Sequence, residues 1–188
     1  MTRIIATGVA SALLLLSPMP APAAQTGEVV GGGQLSLLLF KNDETGHEAE
    51  SPMITYRLGY FMTPNISVEG RFGHGISNWR NNNADTTGNG TDDELELDRL
   101  FGIYLTAHQP LPSNNAVSLY GTVGVSDARM TESPLAESIS ARNRGASIGI
   151  GAEFIAYDGF RFNAEYMHYV SDSGNRLSAV SIGGLYAF

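Results

Sequence analysis

The chain has 188 residues, no cysteine and a formal net charge of −8 at pH 7. The lack of cysteine excludes a scaffold held by disulfide bonds, so the fold is expected to depend on packing or on closure of a sheet. The acidic balance argues against nucleic acid as a partner.

The first 23 residues read as a secretory signal peptide. They contain Arg3, an apolar run over residues 4–16, a proline break and an A-x-A site at Ala21 and Ala23. This pattern predicts cleavage after Ala23, and the apolar run is short for a spanning helix. An uncleaved anchor is the alternative. We therefore divide the chain into a signal peptide, 1–23, and a single domain, 24–188.

Eight segments in which apolar and polar residues alternate follow in chain order. The predicted strands are GQLSLLLFK (33–41), MITYRLGYFM (53–62), ISVEGRFGH (66–74), LELDRLFGIYLTA (95–107), VSLYGTVGVS (117–126), ASIGIGAEFIA (146–156), RFNAEYMHYV (161–170) and LSAVSIGGLYAF (177–188). A period of two is typical of strands that have two different faces. Helical periods are absent from the sequence pattern. No apolar segment after residue 24 is long enough for a spanning helix, so a membrane crossing would have to be made by strands.

The links between these segments alternate in length. Short links follow the second, fourth and sixth strands (TPN, QPLPSNNA and YDGF), whereas longer polar links follow the others. QPLPSNNA is somewhat long for this plan. Short turns at one end, with both termini there, and longer loops at the other are typical of an outer-membrane barrel. The pattern predicts an all-β, eight-stranded, antiparallel up-and-down transmembrane β-barrel.

One face of the predicted strands collects charges of both signs, and the other is almost entirely apolar. The charged residues on the first face are Arg57, Glu69, Arg71, Asp98, Glu153 and Glu165. Because an eight-stranded barrel is only wide enough for side chains to fill it, we expect Arg57 and Arg71 to bridge the four carboxylates inside the lumen. Tyr104, Tyr120 and Tyr169 are expected to cap this network and plug the barrel. A soluble lipocalin-like carrier, with its charges outside, is the alternative.

Aromatic residues near the strand ends are expected to form interfacial girdles. They are Tyr56, Tyr60, Phe72, Phe154, Tyr157, Phe160, Phe162, Tyr186 and Phe188. A barrel that pairs its last strand with its first would also keep Phe188 hydrogen-bonded at the periplasmic rim.

The last segments resemble a known family. IGGLYAF is similar to the C-terminal signature of bacterial outer-membrane proteins, with Phe188 last and Tyr186 two residues before it. SIGIGAEFIAYDGFRFNAEYMHYV resembles the last hairpins of the small OmpA/OmpX-like barrels. The resemblance implies export through the periplasm, a location in the bacterial outer membrane, and recognition of the last strand by the assembly machinery. The family includes adhesins, membrane stabilisers and enzymes, so it does not specify function.

An enzymatic alternative depends on His168. Lipid A deacylases of the outer membrane carry a catalytic His and Ser two residues apart on a lipid-facing strand. Here His168 has the outward parity, but Ser171 is three residues away and turns into the lumen. A Ser-His pair must lie within hydrogen-bond reach, so we expect no catalytic residue. His47 and His74 are isolated, and neither a metal nor a cofactor is expected.

The external loops are acidic. Their carboxylates are Asp43, Glu44, Glu48, Glu50, Asp85, Asp92, Asp93 and Glu94. Next to anionic lipopolysaccharide, such groups need bridging divalent cations or must stand clear of the headgroups. We expect a monomeric, non-catalytic barrel with a membrane-structural or surface-interaction role, whose partners are outer-membrane lipid and lipopolysaccharide. A narrow pore is the other alternative.

Overall fold

The computed structural model describes residues 24–42, 48–76, 94–112, 114–133, 139–156, 159–169 and 175–188. Eight strands form: β1 (Val29–Asn42), β2 (Glu48–Thr63), β3 (Ile66–Gly75), β4 (Glu94–Leu111), β5 (Asn114–Ser133), β6 (Ile139–Ile155), β7 (Phe160–Tyr169) and β8 (Asn175–Ala187). Each strand pairs antiparallel with the next, and β8 pairs with β1, so the sheet closes. This confirms the predicted eight-stranded antiparallel barrel. Within these ranges, no helix has the length and apolar character needed to cross a membrane.

Several predicted features lie outside the described residues. They are the signal peptide (1–23), His47, Tyr157, Ser171, and the acidic residues of the first two long links other than Glu48, Glu50 and Glu94.

The alternation along each strand separates the barrel interior from the outer wall. In β7, Arg161, Asn163 and Glu165 are buried, whereas Phe162 and Tyr166 are exposed. The same alternation in the other strands places large apolar side chains on the outer wall. This arrangement is the reverse of a soluble lipocalin-like barrel, which has an apolar interior and a hydrated outside.

The seam between β1 and β8 extends to the last residue. Val30 pairs with Ala187, and the amide of Phe188 donates to the carbonyl oxygen of Val29 at 2.8 Å. The amide of Ala187 donates to the carbonyl oxygen of Gly159 at 3.0 Å. Phe188 is therefore held by the closed sheet, as the sequence predicted.

The two ends of the barrel differ in their links. At one end, here called the short-link end, the strands are joined by residues 64–65, 112–113 and 156–159. The link after β4 is shorter than predicted because β4 continues to Leu111 and β5 begins at Asn114. At the opposite, long-link end, β5 and β6 run well beyond their predicted bounds, whereas β4 begins one residue earlier than predicted. The three strands remain paired there, with Glu94 opposite Ser133 and Glu132 opposite Ile139. We call residues 94–99, 127–133 and 139–145 the β4–β6 extension.

A register shift in β4 changes the predicted faces. The pairing with β5 is irregular between Leu97 and Arg99, as expected for a β-bulge, in which an extra residue reverses the alternation beyond it. Leu97 and Leu100 both point inward and are buried, whereas Asp98 and Arg99 are exposed. The prediction that Asp98 points into the lumen was therefore wrong.

Candidate functional site in the barrel interior

Four charged side chains meet in the barrel interior, and we call them the central cluster: Arg57 (β2), Glu69 and Arg71 (β3), and Glu165 (β7). Arg57 Nη2 and Arg71 Nη2 donate to Glu69 Oε2 at 2.7 and 3.0 Å. Arg71 also donates to both oxygens of Glu165, at 2.5 and 2.9 Å. Arg57 Nη1 lies 3.9 Å from Glu165 Oε2. Each arginine is therefore paired with both carboxylates.

The cluster has two positive and two negative charges, so it is formally neutral. Arg57 and Arg71 are direct cross-strand partners, an arrangement that alone would be unfavourable because like charges lie opposite each other. Their side chains and those of the two glutamates are at most 3% exposed. Charges buried to this extent persist only when they are paired and hydrogen-bonded, and the two glutamates supply that pairing.

Asn163 extends the cluster towards β1. With its amide oxygen turned to the donors, it accepts from Arg57 Nη1 at 2.8 Å and from Gln34 Nε2 at 2.5 Å. The amide nitrogen then donates to the carbonyl oxygen of Gly183 at 3.1 Å. The polar network therefore joins both sides of the β1–β8 seam to the central arginines.

Two tyrosines lie over the arginines. Arg71 Cζ is 4.7 Å from the centre of the Tyr104 ring, and Arg57 Cζ is 5.8 Å from the centre of the Tyr120 ring, both within the range of cation–π attraction. Glycine makes room for the rings: a Cβ atom on Gly151 would lie 2.3 Å from Tyr120 Cζ. Because Gly151 has no side chain, the Tyr120 ring can occupy this position.

An apolar layer lies in the interior between the central cluster and the long-link end. Its buried members are Leu38, Met53, Leu97, Leu100, Tyr104, Ala128, Met167, Tyr169, Leu177 and Ala179. Tyr169 belongs to this layer, while the hydroxyl of Tyr104 forms a 2.6 Å hydrogen bond with that of Ser126. Tyr120 and Tyr104 thus contact the charges, and Tyr169 packs among apolar side chains.

A second charged group lies towards the short-link end. Arg161 Nη1 donates to Glu153 Oε1 at 3.0 Å, and Arg161 Nη2 pairs with Glu28. The guanidinium of Arg161 lies over the ring of Phe61, 5.4 Å from its centre. The Phe61 ring in turn lies 4.9 Å from that of His108. These contacts connect β7, β2 and β4 across the interior.

The predicted six-residue network is therefore divided into three places. Arg57, Glu69, Arg71 and Glu165 meet; Glu153 pairs with Arg161; and Asp98 is on the outside, 3.7 Å from Arg129. Sequence analysis did not include Arg161 and Glu28 among the paired residues. The position of Arg161 was predictable, because it lies on the same face of its strand as Asn163 and Glu165. The position of Glu28 was not, because it precedes the predicted first strand.

His168 has a partner that sequence analysis did not identify. Its Nδ1 lies 3.0 Å from the hydroxyl oxygen of Ser178, directly opposite on β8. The Tyr166 hydroxyl donates to the same oxygen at 3.2 Å. In the described part of the chain, the His168 ring makes no further hydrogen bond or ion pair. The third group that orients the base in activated Ser-His pairs is thus not seen there.

Charged residues also lie on the outer wall near the long-link end. Arg144 Nε donates to Asp127 Oδ2 at 2.5 Å, and Arg129 lies near Asp98. We call Asp98, Asp127, Arg129 and Arg144 the rim pairs. The Arg144 side chain is 68% exposed, so these contacts are formed at the surface.

Comparisons with known proteins agree with this architecture. The model of the family described as "Outer membrane protein beta-barrel domain" matches residues 9–188. No curated protein sequence matches the chain. Solved structures match in fold. One is Ail, the attachment invasion locus protein of Yersinia pestis, in complex with the heparin analogue sucrose octasulfate. Its sequence is 17% identical and its TM-score is 0.63, and the match covers 87% of this chain and 100% of that one.

Two further structures are similar. Neisserial surface protein A is 14% identical with a TM-score of 0.65, and the match covers 86% of this chain and 99% of that one. OprG from Pseudomonas aeruginosa is 14% identical with a TM-score of 0.59, covering 87% of this chain and 97% of that one. At these identities the likeness shows the fold alone.

Proposed function

Because the chain belongs to the outer membrane protein beta-barrel family, we propose that it is a non-catalytic integral barrel whose side chains plug the lumen. The observation that carries this proposal is the neutral, saturated central cluster beneath a buried apolar layer. Among the described residues, the charges of the central cluster pair with one another, and the apolar layer separates them from the long-link end. The protein would then act through its wall and its external surface.

In this proposal the short-link end faces the periplasm and the long-link end faces outward, as is usual for such barrels. The chain is exported through the periplasm, the segment 1–23 is removed, and the barrel is a monomer in the outer membrane. The assembly machinery reads the last strand through Tyr186 and Phe188, which lie on the outer wall with their rings 5.3 Å apart.

The surface-interaction role is supported by the β4–β6 extension, which raises polar strands beyond the apolar wall. Arg99, Arg129 and Arg144 are exposed where this extension meets the apolar wall. Guanidinium groups are suited to phosphate, so we propose that they contact lipopolysaccharide phosphates. Ail has been solved with the heparin analogue sucrose octasulfate, and a fold of this kind can therefore present an anion-binding surface. The structure places Glu48, Glu50 and Glu94 at the ends of β2 and β4 and not in loops as predicted. The acidic residues at this end, including exposed Glu50, would stand clear of the lipid or bind it through divalent cations.

Fractionation and gel mobility test the proposed location. A closed barrel resists detergent until it is heated, so the protein from the outer-membrane fraction should show two mobilities, unboiled and boiled. Recovery in the soluble fraction with a single mobility would contradict the proposal.

Conductance tests the plugged lumen. In planar bilayers the purified protein should give no steady single-channel conductance, because an ion would have to pass both the paired charges of the central cluster and the buried apolar layer. A steady conductance would contradict the plugged lumen while leaving the membrane location intact, and a narrow pore would then be the better description.

The enzymatic alternative is testable through His168 and Ser178. If the wall cleaved acyl esters, expression of the protein would change the mass of lipid A, and His168→Ala would abolish that change. We expect unchanged lipid A, because in the described residues the His168 ring has Ser178 as its sole hydrogen-bond partner.

A further inference from the structure

The segment that precedes β1 folds back over the short-link end of the barrel. We call residues 24–28 the N-terminal strap. The amide of Gly27 donates to the carbonyl oxygen of Phe61 at 2.8 Å. The amide of Phe61 in turn donates to the carbonyl oxygen of Glu28 at 2.9 Å. The strap bends on itself, with the amide of Glu28 donating to the carbonyl oxygen of Gln25 at 3.1 Å. A positive φ of 87° at Gly27 permits the bend.

The side chain of Glu28 anchors the strap inside the barrel. One carboxylate oxygen pairs with Arg161 on β7, and the other accepts from the amide of Gln25 at 3.1 Å. Ala24 is buried against Val30 and Phe61, and Ala187 packs on the same group. The strap therefore contacts β1, β2, β7 and β8, which become neighbours only after β1 has paired with β8.

Some buried polar atoms on the interior side of the strap lack a hydrogen-bond partner. Among the described residues, His108 Nδ1 and Arg161 Nε are buried and lack a hydrogen-bond partner. Burying an unpaired polar atom is costly, and Arg161 Nε belongs to the guanidinium that Glu28 contacts, so displacement of the strap would let water approach that atom. The same displacement would separate Glu28 from Arg161. The ion pair therefore adds to the two backbone hydrogen bonds with Phe61 and to the packing of Ala24 in holding the strap closed.

We propose that the N-terminal strap is a latch that docks only on the closed barrel and shuts its short-link end. Docked, it shields Phe61, His108 and Arg161, and behind them the central cluster, from solvent at that end. Released, it exposes Val30 and Arg161 without breaking any pairing between strands. The latch goes beyond the proposed surface role, because that role concerns the outside of the long-link end, whereas the latch closes the interior at the short-link end.

Single-cysteine labelling tests the latch, because the native chain has no cysteine. Val30 is buried beneath the strap, whereas Thr26 within it is exposed. In the protein purified in detergent, a charged maleimide should label the Thr26→Cys variant quickly and the Val30→Cys variant slowly. Adding Glu28→Ala to Val30→Cys should raise its labelling rate about tenfold or more, since a hydrogen bond to a charged group shifts an opening equilibrium by this order.

Two further variants keep the test decisive. Asp127→Asn removes a carboxylate at the opposite end and should leave the labelling of Val30→Cys unchanged. Gly27→Ala strains the strap backbone, yet its Cβ would meet no atom within 4 Å, so it should increase labelling without damaging the barrel. Heat-dependent gel mobility verifies that each variant is folded.

Equal labelling of Thr26→Cys and Val30→Cys in the otherwise native chain would overturn the latch. So would an unchanged Val30→Cys rate in folded proteins that carry Glu28→Ala or Gly27→Ala. Either result would leave the proposed surface role untouched, because that role depends on the other end of the barrel.

Discussion

The central cluster and the rim pairs are made from the same kinds of groups, but they lie in different surroundings. Arg71 and Glu165 meet at 2.5 Å with 1% of each side chain exposed. Arg144 and Asp127 meet at the same 2.5 Å, with 68% and 19% exposed. Distance alone therefore cannot distinguish the two pairs, and the difference between them lies in hydration.

Burial changes what the loss of one partner costs. A surface carboxylate that loses its arginine is rehydrated, and exposed pairs contribute about 0.2–1 kcal/mol. A buried arginine that loses its carboxylate stays uncompensated inside the protein, and breaking such a pair costs about 3–5 kcal/mol. The interior charges are therefore mutually dependent, whereas the rim charges are nearly independent.

The largest expected effect comes from removing one carboxylate of the central cluster. Glu69→Ala leaves Arg57 and Arg71 facing each other across the β2–β3 ladder with Glu165 alone to neutralise them. The free energy of unfolding, measured by urea titration of the protein in lipid vesicles, should fall by about 3–5 kcal/mol.

A double variant serves as its control. Arg57→Met combined with Glu69→Met keeps the cluster neutral and leaves the Arg71–Glu165 pair intact. It should destabilise the barrel by less than the sum of the two single variants. Additive losses would mean that the four charges are not coupled, contrary to the comparison.

A middle-sized effect is expected where glycine makes room for a tyrosine. In Gly151→Ala the new Cβ would lie 2.3 Å from Tyr120 Cζ and 2.7 Å from the carbonyl oxygen of Ala164. The ring must move off Arg57, at a cost of about 1–3 kcal/mol, again measured by urea unfolding. Gly121→Ala is the matched control, because its Cβ on the neighbouring strand meets nothing within 4 Å. Equal stability of the two variants would refute the steric role of Gly151.

The smallest effect is expected at the rim. Asp127→Asn should lower the free energy of unfolding by less than about 1 kcal/mol. The difference should shrink as salt is raised from low ionic strength, since exposed charges are screened. A salt-independent loss comparable to that of Glu69→Ala would show that the rim pair is buried in the membrane-embedded protein.

Much of the barrel was predictable because a period of two is a direct consequence of strand geometry. Arg57, Glu69, Arg71 and Glu165 share the inward parity of their own strands, so their common location followed from closure. The bulge after Leu97 was not predictable, since one inserted residue leaves no mark in local composition but reverses the faces of Leu97 and Asp98.

The sequence also could not predict which of the inward-facing residues would pair with one another. Parity placed Glu153 inside, but its height along the axis relative to Arg57 and Arg161 depends on the register between non-adjacent strands. Glu28 and Ser178 escaped notice for a related reason. The strap has no periodic pattern, and the Ser178 contact with His168 depends on the β7–β8 register alone.

The β1–β8 seam also has a consequence for the order of events in folding. It joins the first and last strands of the described chain, so it is the least local pairing in the protein. Loop closure over such a separation is entropically costly and slow. Neither edge strand has its final neighbour until the most distant part of the chain arrives, and both edges are meanwhile open to other chains. The chain is therefore open to aggregation for as long as its last strand has not paired with its first.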